Sequence, residues 1–485
     1  MESVGQERNS LFLHDLKLRS LKLFNMVLMT APFAAVWYFF LVKNIASPYY
    51  ARGNGLVILI YFLLYAAFGR TYDAFLVSYN RISEMIYSQV LAALVTGFFL
   101  YIITWLLKKK LPNIMLFLLI LAVQIVISSV WSYFTHKWYF RTFKPKRTFI
   151  VWDMRRGMTN LIHEYGMSQK FNVIGNCQAS ECIGNLRQLD GMEAVFLTGV
   201  HSHDRNIIIK YCVEHGITAF VIPRIGDVMM SGARRMHMFH LPILRLDRYH
   251  PAPEYLLLKR LFDIVISIFV LVAFSPVMLV VAISIKHYDK GPVFYRQCRL
   301  TKDGRQFDVL KFRSMRVDAE KDGVARLSTG EADPRITPVG RFIRRVRIDE
   351  LPQLINIIKG DMSIVGPRPE RPEIAAEYEK ELPEFRLRLQ AKCGLTGYAQ
   401  VFGKYNTTPY DKLQMDLMYI SNPSIVQDLR IIFATIKILF LKESTEGVAE
   451  GQTTASFQKP ERSVKEETDV QTQHIAEEAE QKHNI

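Results

Sequence analysis

The chain has 485 residues, enough for two or three domains, and a formal net charge of +15 from 61 Lys and Arg against 46 Asp and Glu. Such an excess fits either nucleic acid or anionic lipid and phosphorylated substrates. No nucleic-acid-binding motif occurs, and the basic residues lie among membrane-seeking and carboxylate residues, which excludes the first.

Four apolar runs fill the first third, at about 21–42, 55–68, 86–107 and 111–134. Three approach the roughly 20 residues that span a bilayer as a helix. The second is shorter and needs Arg70 or Tyr72 near the interface. Helices of a soluble bundle would show a polar stripe, and these barely do. A cleaved signal peptide fits poorly with four successive runs and no small-residue cleavage site. Arg8, Lys17, Arg19 and Lys22 precede the runs; Lys137, Arg141, Lys144, Lys146 and Arg147 follow them. Both flanks are therefore placed in the cytoplasm, outweighing Lys108, Lys109 and Lys110 in the third loop. Residues 1–147 read as a four-helix transmembrane domain.

Residues 148–250 change to short apolar strands alternating with helices. Strands are predicted at 148–152, 172–174, 194–198 and 218–222, with a helix over 204–215. This is a βαβ series with a parallel sheet, a Rossmann-like α/β module. The dinucleotide-binding loop GxGxxG is missing after the first strand, where Asp153-Met154-Arg155-Arg156-Gly157-Met158 stands. The module is read as structural or regulatory.

A fifth apolar run, about 255–286, carries Lys259, Arg260 and Asp263 at its start and Ser275-Pro276 inside. Proline removes a backbone donor and clashes with the preceding turn. A complete fifth span would carry everything downstream out of the cytoplasm, so a re-entrant hairpin is expected. Residues 443–485 are polar and acidic and should be disordered. Cys177, Cys182, Cys212, Cys298 and Cys393 lack zinc spacing and are expected to be free thiols. His136, His163, His201, His203, His237 and His240 likewise show no clustered-ligand spacing.

Within 251–442, Asp349-Glu350 ends a run holding Arg335, Arg341, Arg344, Arg345 and Arg347. Carboxylates beside concentrated positive charge point to phosphate chemistry. The cations hold phosphate oxygens, and a carboxylate ligates magnesium or attacks phosphorus. The alternative is a helix start with acidic first-turn residues. Around the pair lie Gly291 to Gln297, Lys311-Phe312-Arg313-Ser314-Met315, Pro338 to Arg345, Met362 to Glu370 with Gly366-Pro367-Arg368-Pro369, and Gly394 to Val401.

Together, in this order and after the Ser-Pro hairpin, these segments resemble the bacterial sugar transferases, the monotopic polyprenyl-phosphate hexose-1-phosphate transferases, over about 255–441. The upstream half looks like that family's long form. The resemblance implies a membrane protein, α plus α/β, ending in a membrane-associated α/β catalytic domain with the re-entrant hairpin. It implies transfer of sugar-1-phosphate from a UDP-sugar to undecaprenyl phosphate, releasing UMP and starting exopolysaccharide, capsule or O-antigen assembly. The location implied is the bacterial inner membrane, with the catalytic domain cytoplasmic.

By position, Asp349 matches the nucleophile that forms a phospho-sugar intermediate, and Glu350 the carboxylate that binds Mg2+. Both should be ionised, with nearby arginines lowering their pKa. Lys311, Arg313, Arg344 and Arg368 are implied substrate contacts. Asp428 matches a late family aspartate, with a structural salt bridge equally open. Lys259, Arg260 and Asp263 match the hairpin's opening, in lipid-phosphate binding or in fixing the hairpin; Ser275 and Pro276 match its break. Two departures stand out. Cys393 replaces a frequent proline, and Gly403-Lys404-Tyr405-Asn406 replaces a Gly-Arg-Asn context. Lys404 is thus a point-charge substitute for a bidentate arginine, so sugar identity is not inferred by analogy. A homodimer is admissible. The alternative from another class is a non-enzymatic membrane scaffold or nucleotide sensor with an inactive transferase-like domain; the intact Asp-Glu pair and its arginines argue against it. Polytopic sugar-phosphate transferases bury their site among many spans, whereas these motifs follow a single hairpin.

Overall fold

The computed structural model describes residues 2–42, 51–238, 240–249, 251–317, 319, 333, 335–403 and 407–439. Lys404 and the tail from 443 lie outside them.

Four long helices open the chain: α1 (Glu2–Val36), α2 (Ala51–Thr71), α3 (Ile82–Lys108) and α4 (Ile114–Thr142). Each overlaps one of the apolar runs and is long and apolar enough to cross a membrane. Their few polar residues turn inward. Asn25 donates to Gln89 Oε1 at 3.1 Å, Tyr65 donates to Asn25 Oδ1 at 3.1 Å, and Gln124 donates to the Tyr61 hydroxyl and to Met29 O, both at 2.6 Å. Leu63, Leu106, Leu118, Val126 and Phe134 face outward. In lipid, where apolar contact discriminates weakly between helix pairings, such internal polar bonds give the packing its direction.

The next part is β1 (Lys146–Trp152), α5 (Met158–Glu164), β2 (Phe171–Gln178), α6 (Ala179–Gly184), β3 (Ala194–Thr198), α7 (Ser202–Glu214), β4 (Thr218–Ile222) and α8 (Ile225–Ser231). The four strands form a parallel sheet in the order β2-β1-β3-β4, as the βαβ reading predicts. β3 is buried along its whole length and is legible as an apolar run. β2 is five residues longer than the predicted strand at 172–174. As an edge strand it accepts Asn176 and Gln178 without losing its ladder bonds. An antiparallel pair, β5 (Arg234–Met238) and β6 (Leu241–Arg245), follows. Its residues are mostly exposed on both faces, so no alternation announces it.

The last part begins with α9 (Pro253–Asp289), assigned helical throughout, with Pro276 inside it. Then come β7 (Phe294–Leu300) and β8 (Gln306–Phe312), an antiparallel pair, α10 (Pro338–Arg345), α11 (Gln353–Lys359) and β9 (Ser363–Val365). α12 (Pro372–Glu381), β10 (Gly394–Thr396) parallel to β9, α13 (Tyr398–Phe402), α14 (Pro409–Ser421) and α15 (Ile425–Leu439) complete it. Leu354, Ile357, Met362, Val365, Leu413, Leu417 and Tyr419 form its core.

The three parts touch pairwise. Val228 of α8 sits in the core of the last part, and Arg155 after β1 pairs with Asp411 of α14 at 2.6 Å. Phe433 of α15 meets Phe68 edge-on with ring centroids 4.9 Å apart, while Tyr87 donates to Lys437 O at 2.9 Å. Lys170 donates to Ser78 Oγ at 2.9 Å, joining the sheet module to the helical bundle.

Candidate active site

Asp349 and Glu350 lie on a single 3-10 turn, Ile348–Glu350. Thr337 caps α10 by accepting from Gly340 N at 2.9 Å, and Pro338 suits its first turn. The helix stops at Arg345. Arg347 then takes φ +58°, a left-handed conformation costing roughly 1–2 kcal/mol for an L-residue. That reversal delivers Ile343 and Ile348 to an apolar cluster with Val281, Ile285 and Phe312. Leu351, Leu354 and Ile357 go to the main core instead. The acidic pair is wedged between the two.

Burial decides the charge on Asp349. The residue is 8% exposed, and its Oδ1 is buried with no hydrogen-bond partner among the described residues. Burial first, and the neighbouring Glu350 second, push its carboxyl up to about 6, against the opposing pull of Lys311, Arg344 and Arg347. Arg344 and Arg347 do lower this pKa, as expected, but loss of water outweighs them and the net shift is upward. At pH 7 the group is still ionised by roughly ten to one. Glu350 behaves oppositely. Burial alone would raise it, but Lys311, Arg368 and Arg347 together hold it well below the usual carboxylate range. Lys311 Nζ is 3.1 Å and Arg368 Nη2 3.4 Å from its Oε1. One fixed anion thus stands beside one poised carboxyl, the arrangement that separates roles in paired-carboxylate sites.

Glu350, Lys311 and Arg368 line a cleft with Arg299, Gln353, Pro369, Gly394, Leu395 and Gln400. Arg344 acts on Asp349 from α10. Arg313 is engaged elsewhere. It is buried, its Nε donates to Pro292 O at 2.7 Å, and both terminal nitrogens bond Asp289, Nη1 at 2.7 Å. It clamps the end of α9 to β8. Asp428 is buried under Lys259 Nζ, Tyr255 OH and Tyr419 OH, each at 2.9 Å. Arg260 donates to Ile357 O and Ile358 O at 2.6 and 2.7 Å, capping α11, and Asp263 accepts from Ile364 N at 3.0 Å. Lys259, Arg260, Asp263 and Asp428 therefore fasten α9 to the rest of the last part. Ser275 and Pro276 are exposed, and Ser275 Oγ donates to Val272 O at 2.8 Å.

Gln353 and Gln400 lie within the sequence motifs but were given no role there, and Arg299 lies just outside them. A further network, also unforeseen, holds the Arg368 loop. Buried Arg388 pairs with Asp416 at 2.6 Å and Glu370 at 3.3 Å, and donates to Arg368 O at 3.0 Å. No group of three or more His, Cys, Asp or Glu poised for a metal exists among the described residues. The pair on the 3-10 turn still suits magnesium. It offers hard carboxylate oxygens, one of them buried without a partner, and this ion is commonly held by one or two carboxylates plus water and ligand phosphates.

A sequence profile described as bacterial sugar transferase matches residues 254–442. The chain is 37% identical over 231 residues to a UDP-N-acetylgalactosamine-undecaprenyl-phosphate N-acetylgalactosaminephosphotransferase of Aeromonas hydrophila, covering 47% of this chain and 53% of that protein. It is 40% identical over 297 residues to a UDP-glucose:undecaprenyl-phosphate glucose-1-phosphate transferase of Xanthomonas campestris pv. campestris, covering 57% and 60%. It is 43% identical over 190 residues to exopolysaccharide production protein PSS of Rhizobium leguminosarum bv. phaseoli, covering 37% of this chain and 94% of that one. The alignment spans about half the length of the first of these.

Proposed function

This chain belongs to the bacterial sugar transferase family, and we propose from that membership that it moves a sugar-1-phosphate from a UDP-sugar to undecaprenyl phosphate. The supporting observation is Asp349: a buried carboxylate with one unpartnered oxygen, beside Lys311, Arg344 and Arg347. A carboxylate so short of hydrogen bonds is poorly solvated, which strengthens it as a nucleophile. In the first half-reaction Asp349 attacks the sugar-linked phosphorus, the bridging P–O bond breaks, and UMP leaves with the electron pair. In the second, a phosphate oxygen of the lipid attacks the same phosphorus and expels the Asp349 carboxylate. Lys311 and Arg368 orient phosphate oxygens while also holding Glu350 ionised. Glu350 would hold magnesium, which when bound offsets diphosphate charge and stabilises the departing UMP. Two half-reactions let a water-soluble donor and a lipid acceptor use one site in turn.

The same reading places the catalytic part at the cytoplasmic face of a bacterial inner membrane, with α9 re-entrant. Straight, its 37 residues would run about 55 Å, against about 30 Å of hydrocarbon. Both of its ends bind the same soluble part: Arg260 and Asp263 at one end, Ile285 and Asp289 at the other. A simple crossing would put those ends on opposite faces.

The test is UMP release from a panel of UDP-sugars with undecaprenyl phosphate and magnesium, with and without chelator. Labelled sugar-phosphate should stay on the protein when lipid is withheld. Activity surviving Asp349→Asn would overturn the covalent step.

A further inference from the structure

Gln400 has no part in the chemistry above, yet it lines the same cleft. It lies in the first turn of α13, where its backbone N–H and that of Val401 donate to Gly397 O at 3.1 and 3.0 Å. Its side-chain Nε2 donates to Leu395 O at 3.2 Å, which fixes the direction the amide faces. Oε1 points the other way, is buried, and has no hydrogen-bond partner among the described residues. Gly397 lets the Gly366 backbone pack closely beside this amide: a Cβ there would collide with Gly366 O and come within 3.2 Å of Gln400 Oε1.

A buried acceptor without a donor is unfavourable, and folded proteins leave few of them. The nearby cation does not satisfy it. Arg299 is committed to Pro369 O at 3.0 Å and Gln297 Oε1 at 2.6 Å. Of the buried polar atoms without partners among the described residues, Asp349 Oδ1 belongs to the neighbour of cleft-lining Glu350 and has a chemical use; Gln400 Oε1 belongs to a residue that lines the cleft and has none in the free protein. The cations of the cleft match the acceptor oxygens of a diphosphate. A lone acceptor matches what else a nucleotide-sugar presents, its hydroxyl and N–H donors.

We propose that Gln400 recognises the nucleotide-sugar by accepting a hydrogen bond from one of its hydroxyl or N–H groups, an assignment that rests on the donor being a UDP-sugar. It selects and positions; it does not react.

The experiment uses the full-length protein in nanodiscs. Melting temperature is measured alone, with UMP and with the UDP-sugar, and steady-state kinetics follow, for wild type and Gln400→Met. The variant loses an unsatisfied acceptor but also the Nε2 bond to Leu395 O, so its melting temperature when free should stay close to that of wild type. Its KM for the UDP-sugar should rise roughly three- to tenfold with kcat within about twofold, the effect of one neutral hydrogen bond. Weakened UMP binding in parallel assigns the contact to the nucleotide half; weakened UDP-sugar binding alone assigns it to the sugar. Unchanged KM and unchanged ligand-induced stabilisation overturn the proposal, as does a lower melting temperature of the free variant with KM intact. A second measurement needs no variant. Wild type is titrated with UDP-sugars lacking single hydroxyls or methylated on the imide nitrogen, and one of these should bind roughly three- to tenfold more weakly. Equal binding of all of them overturns the assignment. Because binding is read by melting, the result on Gln400 is separate from whether the wild type releases UMP.

Discussion

Replacing Asp349 by Asn should stabilise the protein while ending its activity. The folded environment raises the carboxyl from an ordinary 3.8 to about 6. The folded state therefore holds the proton more tightly than the unfolded chain, and the ionised group opposes folding. That opposition is complete above about pH 6 and disappears as pH falls through the unfolded value. The gap corresponds to about 3 kcal/mol at pH 7.5, and to about 1 kcal/mol at pH 4.5. Asparagine is neutral and of the same shape, but its own buried amide takes back roughly 1–2 kcal/mol. A net gain of about 1–2 kcal/mol remains at pH 7.5, a rise of roughly 2–6 °C in Tm for a unit of this size, and it should vanish or reverse at pH 4.5. Thermal unfolding of wild type and variant in nanodiscs at the two pH values measures it. A variant less stable at pH 7.5, or a difference independent of pH, refutes the account of a buried, poorly solvated charge.

The same carboxyl sets the acid limb of the rate. Donor kcat/KM should be flat above about pH 7 and fall about tenfold per pH unit well below 6, since attack needs the ionised form; a profile flat down to pH 5 removes Asp349 as the titrating nucleophile. Arg313→Lys breaks the two-pronged grip on Asp289 and should cost about 1–3 kcal/mol in thermal stability with the UDP-sugar KM unchanged; a raised KM at full stability would return Arg313 to the phosphate. Glu254→Cys and Tyr288→Cys, both at exposed positions flanking the apolar stretch of α9, should react with an impermeant maleimide only in inside-out vesicles. Labelling of Tyr288→Cys in spheroplasts would make α9 a full crossing.

What could be read from the chain was what is local. The apolar runs, β1, β3 and β4, and the Asp349-Glu350 pair all declare themselves within a few residues. What was hidden depends on partners far away in sequence. Arg313 looks like a phosphate ligand beside Lys311 until Asp289, 24 positions earlier, is found against it. Asp428 gains its meaning from Lys259, 169 positions away. The arginines around Asp349 are visible in the sequence, but the desolvation that outweighs them is not, because it comes from the packing of Ile343, Ile348 and Leu354 on either side. Gln400 is one polar residue among many until its oxygen is seen to be alone.

The pairwise contacts among the three parts make the peptide between them dispensable as a tether. A protease nick between Leu246 and Ala252 leaves Val228 buried in the transferase core and Arg155 on Asp411, while Phe433 and Lys437 still grip the helical bundle. The two fragments should migrate together on gel filtration and melt in one cooperative transition. Separation into independently melting pieces would show that the seams are weaker than the cores they join.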